Sequence, residues 1–263
     1  MSRPLQFATD LARKTGELLL EYFRPAGSET RLKFDHSVVT EADLAADRFV
    51  EQAVHETYPK DLLLSEELHS SLSPDQQRVV WVVDPLDGTT NFSLGLPIWG
   101  VSIARVVNGM PETGAIYFPL LDEIYSAQVG MGAFRNSERL QVQPPDKGTP
   151  TSFFACCGQT HKLYRLNVPY KPRILGSAAY DFCAAARGAA LLTFEATPKI
   201  WDLAAAWALI HEAGGVIETH HGPAPFPLTP GMDYSTRLFP TLAAATAKMV
   251  AKGREMIELK DQA

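Results

Sequence analysis

The stretch Val79 to Phe92, VVWVVDPLDGTTNF, constrains this chain more than any other. A run of β-prone apolar residues reads as a buried strand and ends at Asp84, with Asp87 one tight turn later. Both carboxylates therefore fall at a strand end, where open α/β sheets usually place ligands. Pro85 fixes its own φ, and Gly88 permits a conformation that other residues resist. Thr89-Thr90-Asn91 can open a short helix whose free N–H groups favour an anion. A hard cation on Asp84 and Asp87 would sit beside a phosphate on Gly88 to Thr90, and magnesium suits such a site. The same D-P-x-D-G string is also good turn chemistry, so these residues alone leave both readings open.

The 263 residues allow one large domain or two modest ones. With 46% hydrophobic and 21% charged residues the composition is that of a globular protein, and disorder is not expected. A net charge of -6 argues against non-specific nucleic-acid binding, which needs cationic surface. Cys156, Cys157 and Cys183 lack metal-ligand spacing and are expected to be reduced and buried. The first residues lack the apolar core of a signal peptide, and no apolar run reaches the roughly 18 residues of a membrane helix. A cytoplasmic protein with no membrane partner is the expectation.

Apolar spacing predicts helices over Pro4 to Phe23, from Thr40 onward, over Ala178 to Arg187, over Asp202 to Ala213 and over Pro240 to about Glu258. Strands are predicted at Leu62 to Ser65, Val79 to Val83, Val101 to Val107, Gly114 to Phe118 and Glu123 to Ala127, with a hairpin turn at Asn108-Gly109. Further strands are expected at Ser152 to Cys157, Arg173 to Leu175 and Ala190 to Phe194. The best linker candidate is Gln143 to Pro150, dividing an N-terminal half, 1–142, from a C-terminal half, 150–263. Interleaved helices and strands in both halves suggest stacked layers, an α/β (α+β) fold.

Three further acidic positions carry competing readings. Glu66, in LLLSEE, ends a strand-like run, while Glu67 beside it reads as a solvated loop residue. Asp202, ahead of LAAAWALIHEAGG, can be a helix cap. Asp43, fourth residue of Thr40-Glu41-Ala42-Asp43, can simply close a capping box. No Ser/His/Asp arrangement for a nucleophilic mechanism is evident, His220-His221 lacks partners at zinc spacing, and His211 reads as a packed or surface residue.

DPLDGTTNF at Asp84 to Phe92, SEE at Ser65 to Glu67 and WDLAAAWALIHEAGG at Trp201 to Gly215 together resemble the signatures of the inositol monophosphatase family, within the magnesium-dependent, lithium-sensitive sugar phosphatase superfamily. VTEAD at Val39 to Asp43 and GMGAFRN at Gly130 to Asn136 match in type and order, so the likeness spans about residues 5 to 250. It implies a layered αβαβα sandwich, a homodimer, and two or three Mg2+ ions held by Glu66, Asp84, the Leu86 carbonyl, Asp87 and Asp202. Thr89 paired with Asp43, with help from Glu66, would orient the attacking water. Asp87, Gly88, Thr89 and Thr90 would meet the phosphate. Glu195, seven residues before Asp202, would contact substrate hydroxyls beside Gly176, Ser177 and Ala178.

The implied activity is hydrolysis of inositol monophosphate or a similar small sugar phosphate by metal-activated water. Fructose 1,6-bisphosphate and histidinol phosphate remain alternatives. Thr90-Asn91 point away from the bisphosphate nucleotidases, which usually carry Lys-Glu there. The basic and aromatic stretch Gly158 to Arg173, with Lys162, Arg165, Lys171 and Arg173, could bind a second phosphate or form a solvated loop. A mainly macromolecule-binding role is the alternative from another class, and the complete acid set favours the enzyme.

Overall fold

The computed structural model describes residues 2–32, 38–68, 71–72, 79–144 and 152–260. Its helices are α1 (Arg3–Tyr22), α2 (Glu41–Thr57), α3 (Thr89–Ser93), α4 (Thr160–Leu163), α5 (Ala178–Ala186), α6 (Ile200–Glu212) and α7 (Ala247–Glu255). A seven-stranded sheet runs in the order Leu62–Ser65, Val79–Asp87, Gly100–Val107, Met110–Phe118, Glu123–Gln128, Gly132–Arg135, Glu138–Leu140. Its first pair is parallel and every later pair antiparallel. A five-stranded sheet has the order Pro172–Arg173, Phe153–Cys156, Ala190–Glu195, Thr241–Ala244, Val216–Thr219.

Strand alternation sorts the core into layers. Trp81 and Val83 face α1 and α2 in one apolar cluster, while Val80 and Val82 join another with Phe182, Trp201 and Leu209 of α5 and α6. The second sheet repeats the pattern: Ala243 faces α6, and Leu242 and Ala244 pack with Val250 of α7. The result is helix, sheet, helix, sheet, helix, the expected αβαβα sandwich. Each fully buried Val or Leu in these layers contributes roughly 1.5–3 kcal/mol relative to exposure.

The alanines of α6 set how close it lies to the larger sheet. A Cβ on Gly114 would come within 2.6 Å of the Ala205 carbonyl oxygen, so glycine on the strand and alanine on the helix permit backbone approach. Ser102, which pairs with Asp84 across the sheet, donates to the Trp201 carbonyl at 3.4 Å. The first turn of α6, and Asp202 with it, is thereby set beside the end of strand Val79–Asp87.

Most predicted elements are present with shifted ends. Asn108 and Gly109 both adopt positive φ, 51° and 81°, the hairpin geometry their dipeptide predicts. The C-terminal helix is a correction, since Thr241–Ala244 is a strand, α7 spans only Ala247–Glu255, and Ile257–Leu259 is a strand pairing with Tyr164–Leu166. The alanine-rich string has helical propensity, but its burial between Ala190–Glu195 and Val216–Thr219 wins. The strand expected at Arg173 to Leu175 is Pro172–Arg173. Residues 145–150 of the predicted linker lie outside the described residues. All three cysteines are free, and Cys157 is half-buried, not buried. Among the described residues no helix is long and apolar enough to cross a membrane.

Candidate active site

Strand Val79–Asp87 carries its acids inside the sheet and not beyond it, because the register with Gly100–Val107 shifts between Asp84 and Asp87. That bulge places Asp84 opposite Ser102 and Asp87 opposite Gly100, and Asp84 Oδ1 accepts from the Leu86 N–H at 3.0 Å within it. Gly88 follows at φ 86°, where an added Cβ would lie 3.0 Å from the Ile98 carbonyl oxygen and 3.3 Å from that of Gly176. The turn then enters α3, and Asn91 Nδ2 donates at 2.7 Å to both Ile98 and Leu175 carbonyls, tying the turn to the second half of the chain.

Ligand atoms of Asp84, Asp87 and Asp202 lie within 4.8 Å of one another, a group that could hold a metal ion. Asp202 occupies the third position of α6 and accepts from the Lys199 N–H at 2.7 Å, so it is both a capping-box acid and a member of the cluster. Glu66, which leaves the sheet edge with its N–H on the Val83 carbonyl at 3.3 Å, raises the pKa of all three. It stands near the cluster but outside that 4.8 Å group.

The electrostatics of the cluster have one sign. Burial raises the pKa of Asp87 to about 6, against the lowering effect of Ser177, Ala179 and Ala178 donors. Burial, with Asp87 and Glu66 adding to it, raises Asp202 to about 8, and burial drives Asp84 well above the carboxylate range. Nearby Glu66, Asp87 and Asp202 add to the rise at Asp84. Among the described residues none of the three forms an ion pair with lysine or arginine. Several oxygen ligands without a protein counter-charge fit a divalent cation better than any internal partner.

These acids hold protons in the metal-free fold at pH values where the unfolded chain has released them, so the fold loses stability as pH rises from roughly 4 toward 8. Urea unfolding of EDTA-treated protein should show a lower midpoint at pH 8.5 than at pH 5.5, and added Mg2+ should reverse the order. A midpoint flat across that range would contradict the protonated cluster.

Around the three acids the structure assembles much of the predicted set. Thr89 Oγ1 lies 2.9 Å from Asp43 Oδ1 and 3.0 Å from the Leu86 carbonyl oxygen. Asp43 does close a capping box, its Oδ2 accepting from the Thr40 N–H at 2.7 Å and the Thr40 hydroxyl at 2.5 Å. Asp43 thus spends one oxygen on the capping box and the other on the Thr89 hydroxyl. Thr90 is exposed, and its carbonyl accepts from Ser93 Oγ at 2.9 Å.

Ser177 and Ala178 reach the cluster through Asp87, whose carboxylate caps α5. It accepts from the Ser177 hydroxyl, from the Ala178 N–H at 3.1 Å and from the Ala179 N–H at 3.2 Å. Gly176, at φ 79°, packs its backbone on the Asn91 amide. Glu195, at the end of Ala190–Glu195, is buried, and its Oε1 has no hydrogen-bond partner among the described residues. Burial raises the pKa of Glu195 well above its ordinary value and that of Asp181, also buried, to about 8.

Asp181 is a residue the sequence reading missed; its signal is one acid inside the apolar string AAYDFCAAA of α5. In the basic stretch Lys162, Arg165, Lys171 and Arg173 are exposed, Arg165 lying 3.7 Å from Glu258 and Arg173 donating to the Pro172 carbonyl, while Tyr164 is buried against Phe194. His211 is exposed beside Trp207.

A glycine turn and short helix set against buried carboxylates, on an αβαβα frame, define a phosphoric ester hydrolase. Residues 1–252 match the model of the inositol monophosphatase family. The chain is 34% identical over 234 residues to a histidinol-phosphatase of Chlorobaculum parvum, covering 84% of this chain and 88% of that protein. It is 33% identical to the Nus factor SuhB of Escherichia coli K12, covering 86% and 88%. Inositol monophosphatase 1 of Sus scrofa is 30% identical over 97% of this chain and 95% of its own length. Among solved structures, an inositol monophosphatase of Thermotoga maritima superposes with a TM-score of 0.78 at 26% identity, covering 97% and 99%. The chain belongs to the inositol monophosphatase family and is a phosphatase.

Proposed function

We propose that the chain is a Mg2+-dependent phosphomonoesterase acting on inositol monophosphate or a similarly small polyol phosphate. The observation that carries the reading is the convergence of Asp84, Asp87 and Asp202 within 4.8 Å beside the Gly88 turn and the Thr89–Asp43 pair. Asp84, Asp87 and Asp202, with Glu66 and the Leu86 carbonyl, would hold two or three ions. When bound, these ions supply charge neutralisation and Lewis acidity at the attacked phosphate and the leaving oxygen.

The chain's own groups do the rest. Gly88, Thr89 and Thr90 present backbone and hydroxyl donors to the phosphate, and Asp87 borders it. Thr89 Oγ1, held between Asp43 and the Leu86 carbonyl, accepts a proton from the attacking water as its own proton passes to Asp43 Oδ1. Glu195, with Gly176, Ser177 and Ala178 lining the same end, meets the hydroxyls of the departing alcohol. The family likeness also supports a cytoplasmic homodimer inhibited by lithium.

The test is phosphate release from inositol 1-phosphate, fructose 1,6-bisphosphate, histidinol phosphate and adenosine 3',5'-bisphosphate, each with Mg2+, with EDTA and with Li+. Inositol 1-phosphate should turn over fastest, and EDTA should abolish release. Turnover indifferent to EDTA would end the metal reading. A strong preference for histidinol phosphate would move the substrate toward that of the Chlorobaculum relative.

A further inference from the structure

We propose that Asp47 is a positioning residue for Glu66, clamping the turn that carries it so that its side chain is delivered to the acid cluster. The proposal rests on the metal-ligand reading of Glu66. Asp47 lies one turn beyond Asp43 on α2 and is fully buried, 0% exposed. Its Oδ2 accepts from Ser65 Oγ at 2.9 Å, from the Glu67 N–H at 3.0 Å and from the Leu68 N–H at 3.0 Å. The donors bracket Glu66, one residue before it and two after, and the Glu66 N–H goes to the Val83 carbonyl.

The need for such a clamp comes from the sheet. Among the described residues Leu62–Ser65 is an edge strand, hydrogen-bonded only to Val79–Asp87, so the turn beyond it has a described ladder on one side alone. An uncompensated buried carboxylate is costly, whereas one that accepts several hydrogen bonds fixes the groups that donate them. With the backbone of 65–68 held by these bonds, the clamp sets where the Glu66 side chain departs from the turn. It is near enough to influence Asp43 as well as Asp84, Asp87 and Asp202. α2 thus presents two acids a turn apart, Asp43 holding Thr89 and Asp47 holding the Glu66 turn. Glu67, expected to be merely solvated, supplies a backbone donor to this clamp.

Binding of Mn2+, followed by electron paramagnetic resonance and calorimetry, tests the assignment without reference to turnover. Asp47→Asn keeps an acceptor but loses the charge, and should weaken Mn2+ binding about tenfold, as loss of a group supporting a metal ligand typically does. Ser65→Ala removes one donor, leaves the charge, and should shift affinity less in the same direction. The double variant Asp47→Asn/Glu66→Gln should bind no more weakly than Glu66→Gln alone, because the clamp acts only through Glu66. Wild-type Mn2+ binding in Asp47→Asn, or losses that add to those of Glu66→Gln, would overturn the proposal and leave Asp47 a role in the fold alone. If Glu66→Gln itself binds Mn2+ normally, the ligand reading of Glu66 fails and takes the proposal with it.

Discussion

Asp84→Asn should lower phosphate release by about a thousandfold or more, while making the metal-free protein more stable at pH 8. A removed cation ligand at the centre of the cluster forfeits several kcal/mol of transition-state charge stabilisation, and about 4 kcal/mol corresponds to that factor. The stability change has the opposite sign from that of most buried substitutions. Asp84 is held well above its ordinary pKa chiefly by burial, then by Glu66, Asp87 and Asp202, so ionising it in the empty fold is unfavourable. Asparagine carries no charge and can still accept the Leu86 N–H. Below pH 4 Asp84 is protonated in both states and the gain should vanish. Urea midpoints at pH 4 and pH 8, with and without Mg2+, separate these effects: Mg2+ should stabilise the natural protein by mass action and the variant far less. A variant that is less stable than the natural chain at pH 8 in EDTA would show that Asp84 is a structural acid.

The acid-bearing turn was more legible in the sequence than the boundaries of the elements around it. DPLDGTTNF is local, so the glycine turn and helix start could be read from neighbouring residues, whereas the bulge that carries the strand on to Asp87 could not. The Thr40 box was legible for the same reason, whereas the pairing of Asp43 with Thr89, 46 residues away, was legible only through the family resemblance. Asp202 read as a cap at the first residue of a helix; it stands at the third position and reaches back to Lys199, so α6 begins at Ile200. Asp47 and Asp181 passed unnoticed because a buried acid looks like a surface acid until its partners are placed. Thr241–Ala244 was misread because local propensity favours helix, and only the strands on either side make it extended. What was missed, in each instance, depends on residues distant in sequence.

Thr89→Val should reduce turnover by roughly a hundredfold to ten-thousandfold, the range expected when a positioned proton acceptor is lost, with little change in folding. Valine keeps the branched shape in α3 and removes only the hydroxyl that lies between Asp43 Oδ1 and the Leu86 carbonyl. Thr89→Ser restores that oxygen and should recover most of the rate. Asp43→Asn serves as the complementary test, because it touches both functions of that carboxylate. Its Oδ2 role in the capping box should cost about 1 kcal/mol of stability, and its Oδ1 role should lower turnover. If the two groups act as one proton path, the double variant should be scarcely slower than the worse single one. Independent losses that multiply would mean that Thr89 and Asp43 serve separate ends. Full activity in Thr89→Val would remove the hydroxyl from the chemistry and leave the turn itself, with its backbone donors and the acids beneath it, as the catalytic unit.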